Sequence, residues 1–314
     1  MQQTMEPVTR PEWMPPRLST VDLIRWATSI YCRALDKLNE RQAKKGLKPK
    51  AIPDKWTVKA PGSFDRLGGG MIGVYSQTAG ISCVARTVAC VDVCYAGADW
   101  FVNDRWNHTA SNFEFTDAAM AHASNLMAWL TDPRGWERQL DSQLTILELQ
   151  GVKYFRINGA GDLLPGQPEA WQRLISRHQK LYCWGYTRSW ADNELLPPIL
   201  SLANKSNMSL WASVDRVNIN YWLDVGMPLG LAAVLVNGEA DYTYLLTKLY
   251  NAGIRDPRRV EIFPDHKLRK NTKGYYQVNE VRYTTCPKDR GVKAKVPITC
   301  LICRLCVDRA PISI

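Results

Sequence analysis

At 314 residues with 46% hydrophobic side chains, the chain is too long and too apolar to lack a core, and it has room for one large α/β domain or two smaller ones. A net charge of +10 and a pI near 9.1 point to polyanionic company, a weak sign because basic surfaces also serve solubility and anionic cofactors. The longest apolar run, Leu229 to Val236, is far short of the roughly 18 residues a membrane span needs. No basic-then-apolar leader follows Met1, so the expectation is a soluble, cytoplasmic protein with no membrane partner.

Residues 1 to 18 are proline-rich (Pro7, Pro11, Pro15, Pro16) and without periodicity, which predicts an extended or loosely docked arm. Ser19 or Thr20 then caps a helix whose apolar stripe reads Val21, Ile24, Trp26, Ile30, Tyr31, Leu35 and Leu38. That helix ends in a basic run, Arg41, Lys44, Lys45, Lys48 and Lys50, which suits a helix C-terminus and is also a first candidate for phosphate contacts. Glycines 68, 69, 70 and 73 and a short strand-like run lead into Cys83, Cys90 and Cys94. Thr116 or Asp117 starts one further helix, and Asp132 with Pro133 opens another.

From there the pattern turns regular. Strands are predicted over Val152–Ile157, Leu181–Tyr186, Ser209–Val214, Leu231–Val236 and Val260–Phe263. Helices alternate with them near Glu169–Arg177, Asn193–Ala203, Asn218–Val225 and Tyr242–Ala252. Strand, helix and strand in succession imply parallel pairing, hence an α/β fold: a (β/α) barrel or partial barrel. The parts would be an N-terminal arm and helix over 1–60, the barrel over 61–275 and a cysteine-rich C-terminal extension over 276–314.

In such folds ligands sit at the carboxyl ends of the strands. Those ends carry Gly161 and Asp162, then Arg188, then Ser213, which together are the expected cofactor-binding residues. Taken singly, Asp162 capping a helix and Arg188 paired with a carboxylate are equally good readings. Histidines make no motif with an acid or nucleophile; His108, His122 and His178 read as loop or helix-surface residues, and His266 follows the last strand.

The cysteines carry the chemistry. Cys83, Cys90 and Cys94 form one cluster, and Cys286, Cys300, Cys303 and Cys306 form another with two-residue gaps among the last three. Closely spaced thiolates are the signature of iron-sulfur or zinc ligation, and in a reducing compartment they serve metals more often than disulfides. The first loop reads as an iron-sulfur site; the second as a [4Fe-4S] cluster or a zinc knot. Cys32, in the first helix, and Cys183, on a strand, read as core.

Arg66-Leu67-Gly68, Ser76, Ala79-Gly80, Ser82-Cys83, Cys90 and Cys94-Tyr95-Ala96 precede Arg156-Ile157-Asn158, Gly161-Asp162, Gly185 to Ser189, Cys286-Pro287, Cys300, Cys303 and Cys306. This order resembles the gene product eighty-eight family of phages and mobile elements. The Cys-Tyr-Ala ending also resembles a phage family related to radical S-adenosylmethionine (SAM) enzymes. The resemblance implies a radical-SAM-like barrel with one or two [4Fe-4S] clusters, and SAM as a cofactor chelated by the iron that three cysteines leave open. Gaps of six and three between Cys83, Cys90 and Cys94 depart from the three and two usual in radical SAM proteins.

Two functions of different class follow. One is a radical-SAM-like catalyst. The other is an iron-sulfur protein that binds DNA or RNA, with phosphate contacts from the basic runs at Arg41–Lys50, Arg255–Arg259, Lys267–Lys273 and Lys288–Lys295.

Overall fold

The computed structural model of the chain describes residues 11–60, 62–65, 70–92, 99–102, 105–108, 117–236, 238–264 and 275–286. Helix α1 (Thr20–Ala43) starts where expected, the Ser19 hydroxyl accepting the Asp22 N–H at 3.1 Å. Its buried stripe is Leu23, Ala27, Ile30, Ala34 and Leu35, whereas Val21 is 75% exposed. The small residues Ala27 and Ala34 let another helix approach closely, which a count of large apolar side chains overlooks. Strands β1 (Gly62–Asp65) and β2 (Gly70–Val74) form a hairpin, followed by the short helix α2 (Val88–Asp92). A separate hairpin pairs β3 (Asp99–Val102) with β4 (Arg105–His108).

Helix α3 (Asp117–Thr131) packs along α1, and α4 (Pro133–Leu149) begins at Asp132, whose carboxylate accepts the Gly135 N–H at 2.8 Å. The alternation then runs β5 (Tyr154–Arg156), α5 (Gln167–Arg177), β6 (Tyr182–Thr187), α6 (Leu196–Ala203), β7 (Met208–Val214) and α7 (Ile219–Asp224). It continues through β8 (Ala232–Val236), α8 (Glu239–Asn251) and β9 (Val260–Pro264), and a hairpin of β10 (Tyr275–Val278) and β11 (Val281–Thr285) follows.

The strands make one nine-stranded sheet in the order β1-β2-β5-β6-β7-β8-β9-β11-β10, parallel from β2 to β11 and antiparallel at each edge. The α/β class and the mostly parallel sheet are as expected; among the described residues no pairing joins β1 to β10. All helices except α2 share one face. Alternate strand residues (Phe155, Ile157, Leu210, Ala212, Val234, Ile262, Tyr283) join α1 and α3 to α8 in a single core around Trp136, Trp171 and Trp222. The opposite parity forms two clusters without a helix residue: Ile72 and Trp184 with Val74, Tyr154, Tyr182 and Tyr186, and Trp211, Leu231 and Ala233 with Tyr186 and Phe263.

That second face is concave. Tyr186 on β6 and Phe263 on β9 are three strands apart, about 14 Å in a flat sheet at ordinary strand spacing, yet their ring centroids lie 5.2 Å apart. Only a strongly curved sheet brings them into edge contact.

The proline-rich segment from Pro11 is docked rather than loose. Arg17 is fork-bonded to Asp192 and reaches Glu194 at 2.5 Å, and Trp13 meets the edge of Tyr221, which stacks on Trp190. His178 departs from the surface reading: it is buried, with its two ring nitrogens at 2.9 Å from Glu148 and 3.0 Å from Asp141. Burial likewise depresses His122 on α3 to a pKa of about 4. Among the described residues no helix is long and apolar enough to cross a membrane.

Candidate functional site

The carboxyl ends of β2, β5, β6 and β7 are knitted together. Beyond β2 the chain keeps pairing with β5 and its loop: Tyr75 N–H donates to Arg156 at 3.0 Å, Gly159 N–H to Tyr75 at 2.7 Å and Gln77 N–H to Ala160 at 3.0 Å. Gln77 and Gln167 exchange side-chain hydrogen bonds at 3.1 and 2.9 Å. Gly161 is left-handed (φ +79°), and a Cβ there would lie 2.6 Å from the Ser82 hydroxyl and 2.8 Å from the Gln77 carbonyl. Its glycine thus serves the approach of the segment leading to Cys83.

Asp162 is the hub of the next joint. One carboxylate oxygen accepts from the Leu163 N–H at 2.7 Å and the Thr187 hydroxyl at 2.5 Å, the other from the Arg188 N–H at 2.8 Å. Burial raises its pKa, and these three donors oppose that rise. Asp162 thereby ties the β5 loop to the β6 loop. Trp190 Nε1 then donates to the Ser213 carbonyl at 3.3 Å, tying β6 to β7. Gly161, Asp162, Arg188 and Ser213 are therefore gathered at one edge.

Arg188 and Asp215 form a buried pair at 2.5 Å, 5% and 1% exposed. The same Asp215 oxygen also accepts the Thr87 hydroxyl, and Thr87 in turn accepts the Cys90 N–H at 3.0 Å. Burial works against the Arg188 charge, but Cys90, which is hydrogen-bonded to it, and Asp215 more than offset that, so its pKa stands above the ordinary guanidinium value. Near Cys83, the Gly80 N–H donates to the sulfur at 3.4 Å. Arg86 donates to the carbonyls of Gly80 and Cys83 at 3.3 and 3.4 Å. Burial lowers the Arg86 pKa, with Cys83 and Cys90 acting the other way.

The Cys83 sulfur thus accepts a backbone N–H, Cys90 is hydrogen-bonded by Arg188, and Arg86 lies in the same loop. Positive charge and hydrogen-bond donors of this kind suit an anionic, sulfur-ligated centre. Cys94 lies outside the described residues, as do Cys300, Cys303, Cys306 and His266. Among the described residues no group of three or more His, Cys, Asp or Glu side chains is arranged to hold a metal. Cys286 directly follows β11, its N–H bonded to Ile262 of the neighbouring parallel strand at 2.8 Å, so it occupies the same carboxyl edge several strands away. Cys183 is core: burial pushes its thiol pKa far up, which suits neither ligand nor nucleophile.

Thr87 and Arg86 were not singled out in the sequence. Their signal was a charged and a hydroxyl residue inside Cys83-Val-Ala-Arg-Thr-Val-Ala-Cys90, an otherwise small and apolar loop. Asn158, which the sequence places just past β5 without a role, is left-handed (φ 48°), and both polar atoms of its buried carboxamide lack a hydrogen-bond partner among the described residues. The nucleic-acid candidates divide. Arg41, Lys44, Lys45, Lys48 and Lys50 are exposed, whereas Arg258 pairs with Asp256, Arg259 donates to Gly230, and 267–273 and 288–295 lie outside the described residues.

The family model for gene product 88 matches residues 35–309. No curated protein and no solved structure matches the chain.

Proposed function

We propose, for a chain that belongs to the gene product 88 family, an iron-sulfur protein of a phage or other mobile element, built on a radical-SAM-like partial barrel. Cys83, Cys90 and Cys94 would hold a [4Fe-4S] cluster at the carboxyl edge, and Cys286, Cys300, Cys303 and Cys306 a second one, or zinc. The observation that carries the reading is the charge around the first loop: Arg86 and Arg188 beside Cys83 and Cys90, with the Gly80 N–H on one sulfur. Helices on a single face and the Tyr186–Phe263 contact across three strands support the partial barrel.

When bound, such a cluster supplies one-electron chemistry. The chain's own residues do the holding. Thr87 fixes the Cys90 backbone, Asp162 and Trp190 lock three strand ends, and Asn158 keeps an uncommitted amide at the same edge for a polar ligand such as SAM. Protein purified without oxygen is expected to be brown and to contain iron and sulfide, and in its reduced form to cleave SAM to 5'-deoxyadenosine. Folded protein that is colourless and free of iron overturns the iron-sulfur reading. An intact reduced cluster that yields no 5'-deoxyadenosine removes the SAM chemistry and leaves the cluster.

A second reading, a DNA- or RNA-binding protein with structural or redox-sensing clusters, is favoured by the loop after α1. Its exposed lysines are held in a fixed turn, with Asn39 donating to the Lys50 carbonyl at 3.0 Å and accepting its N–H at 2.8 Å. Binding through it falls steeply with salt, as counterion release requires; retention that ignores salt removes this reading.

A further inference from the structure

We propose that Arg188 and Asp215 are an opposed pair of positioning residues that set how readily the centre on Cys90 accepts an electron; this rests on the iron-sulfur reading. Four groups are chained together: Arg188 to Asp215 at 2.5 Å, Asp215 to the Thr87 hydroxyl, and Thr87 to the Cys90 N–H at 3.0 Å. The Arg188 side chain closes the circuit by hydrogen-bonding to Cys90 itself.

Both charges are almost fully buried, so water screens them little; Arg188 bonds Cys90 directly and Asp215 is linked to its backbone through Thr87. A cluster held there would gain negative charge on taking up one electron. A fixed guanidinium favours that reduced form, and a fixed carboxylate opposes it. Arg188 also reaches the centre from β6 and Asp215 from β7, so the electrical setting is imposed by strands remote in sequence from the cysteine loop. The neighbouring Arg86 donates to two backbone carbonyls and adds its own positive charge near both cysteines.

The test is a spectroscopic redox titration of the anaerobic full-length protein and its variants, each first checked for fold by circular dichroism. Arg188→Gln is expected to lower the midpoint, by about 59 mV if the one-electron reduction constant falls tenfold. Asp215→Asn moves it the opposite way. Arg188→Lys keeps the charge and most of the wild-type value, and the double variant Arg188→Gln/Asp215→Asn, which removes both buried charges together, returns toward wild type. Shifts in the same direction for the two single variants, or no shift, overturn the proposal, because a merely structural role gives no opposition of sign.

If the wild type holds no iron, the iron-sulfur reading fails and this proposal falls with it, whereas an iron-loaded protein whose variants keep the wild-type midpoint overturns the proposal alone.

Discussion

Several residues at the strand ends do work their type alone does not reveal. Asp162 has the profile of a ligand residue, polar and just past an apolar strand, yet both oxygens are spent on Leu163, Thr187 and Arg188. A sequence shows the carboxylate and not its partners, two of which come from residues 25 and 26 positions away. His122 illustrates the same limit, since its helix is covered by an element nearly a hundred residues earlier. Its depressed pKa has a consequence for acid stability. The folded protein keeps the ring neutral down to about pH 4, while the unfolded chain protonates it near 6.5. The unfolded state therefore binds more protons in that window, and stability falls as pH drops from about 6.5 to 4. The loss is on the order of 2 kcal/mol after allowing for partial solvent contact. Urea midpoints measured across that range should slope with pH in the wild type and flatten in His122→Gln.

At the scale of elements, the alternation after residue 150 was legible because apolar runs of strand length were punctuated by helical periodicity, and each strand was found within one or two residues of its expected bounds. The two hairpins that flank the parallel strands were less legible. β10 and β11 are short and half polar, and only their pairing with β9 gives them a place in the sheet. Gly161 belongs to this scale because it is where two segments cross. Gly161→Ala combines a left-handed backbone with overlap on Ser82 and Gln77, so it should cost about 2–4 kcal/mol. Thermal unfolding checks the magnitude, and since Gln77 leads to Cys83, any iron content should fall with it.

For the whole molecule, curvature is the property least visible in advance. Periodicity gives which residues face each way along a strand and says nothing about how far the sheet bends. The aromatic contact between Tyr186 and Phe263 reports that bend directly. A double-mutant cycle with Tyr186→Leu and Phe263→Leu should return a coupling of about 0.5–1.5 kcal/mol, the usual worth of an edge-to-face pair. Zero coupling would mean the two strands do not converge in solution. The family match over residues 35–309 spans both the parallel sheet and the gathered strand ends.

Thr87 and Asp215 stand 128 residues apart along the chain. A ribosome adding about 5–20 residues per second needs roughly 6–26 s to travel between them. Until the sixth and seventh strands have been made, the nascent cysteine loop has its own Arg86 but lacks Arg188 and its counter-charge Asp215. Any inorganic guest loaded co-translationally would therefore meet the loop before its buried ion pair is in place.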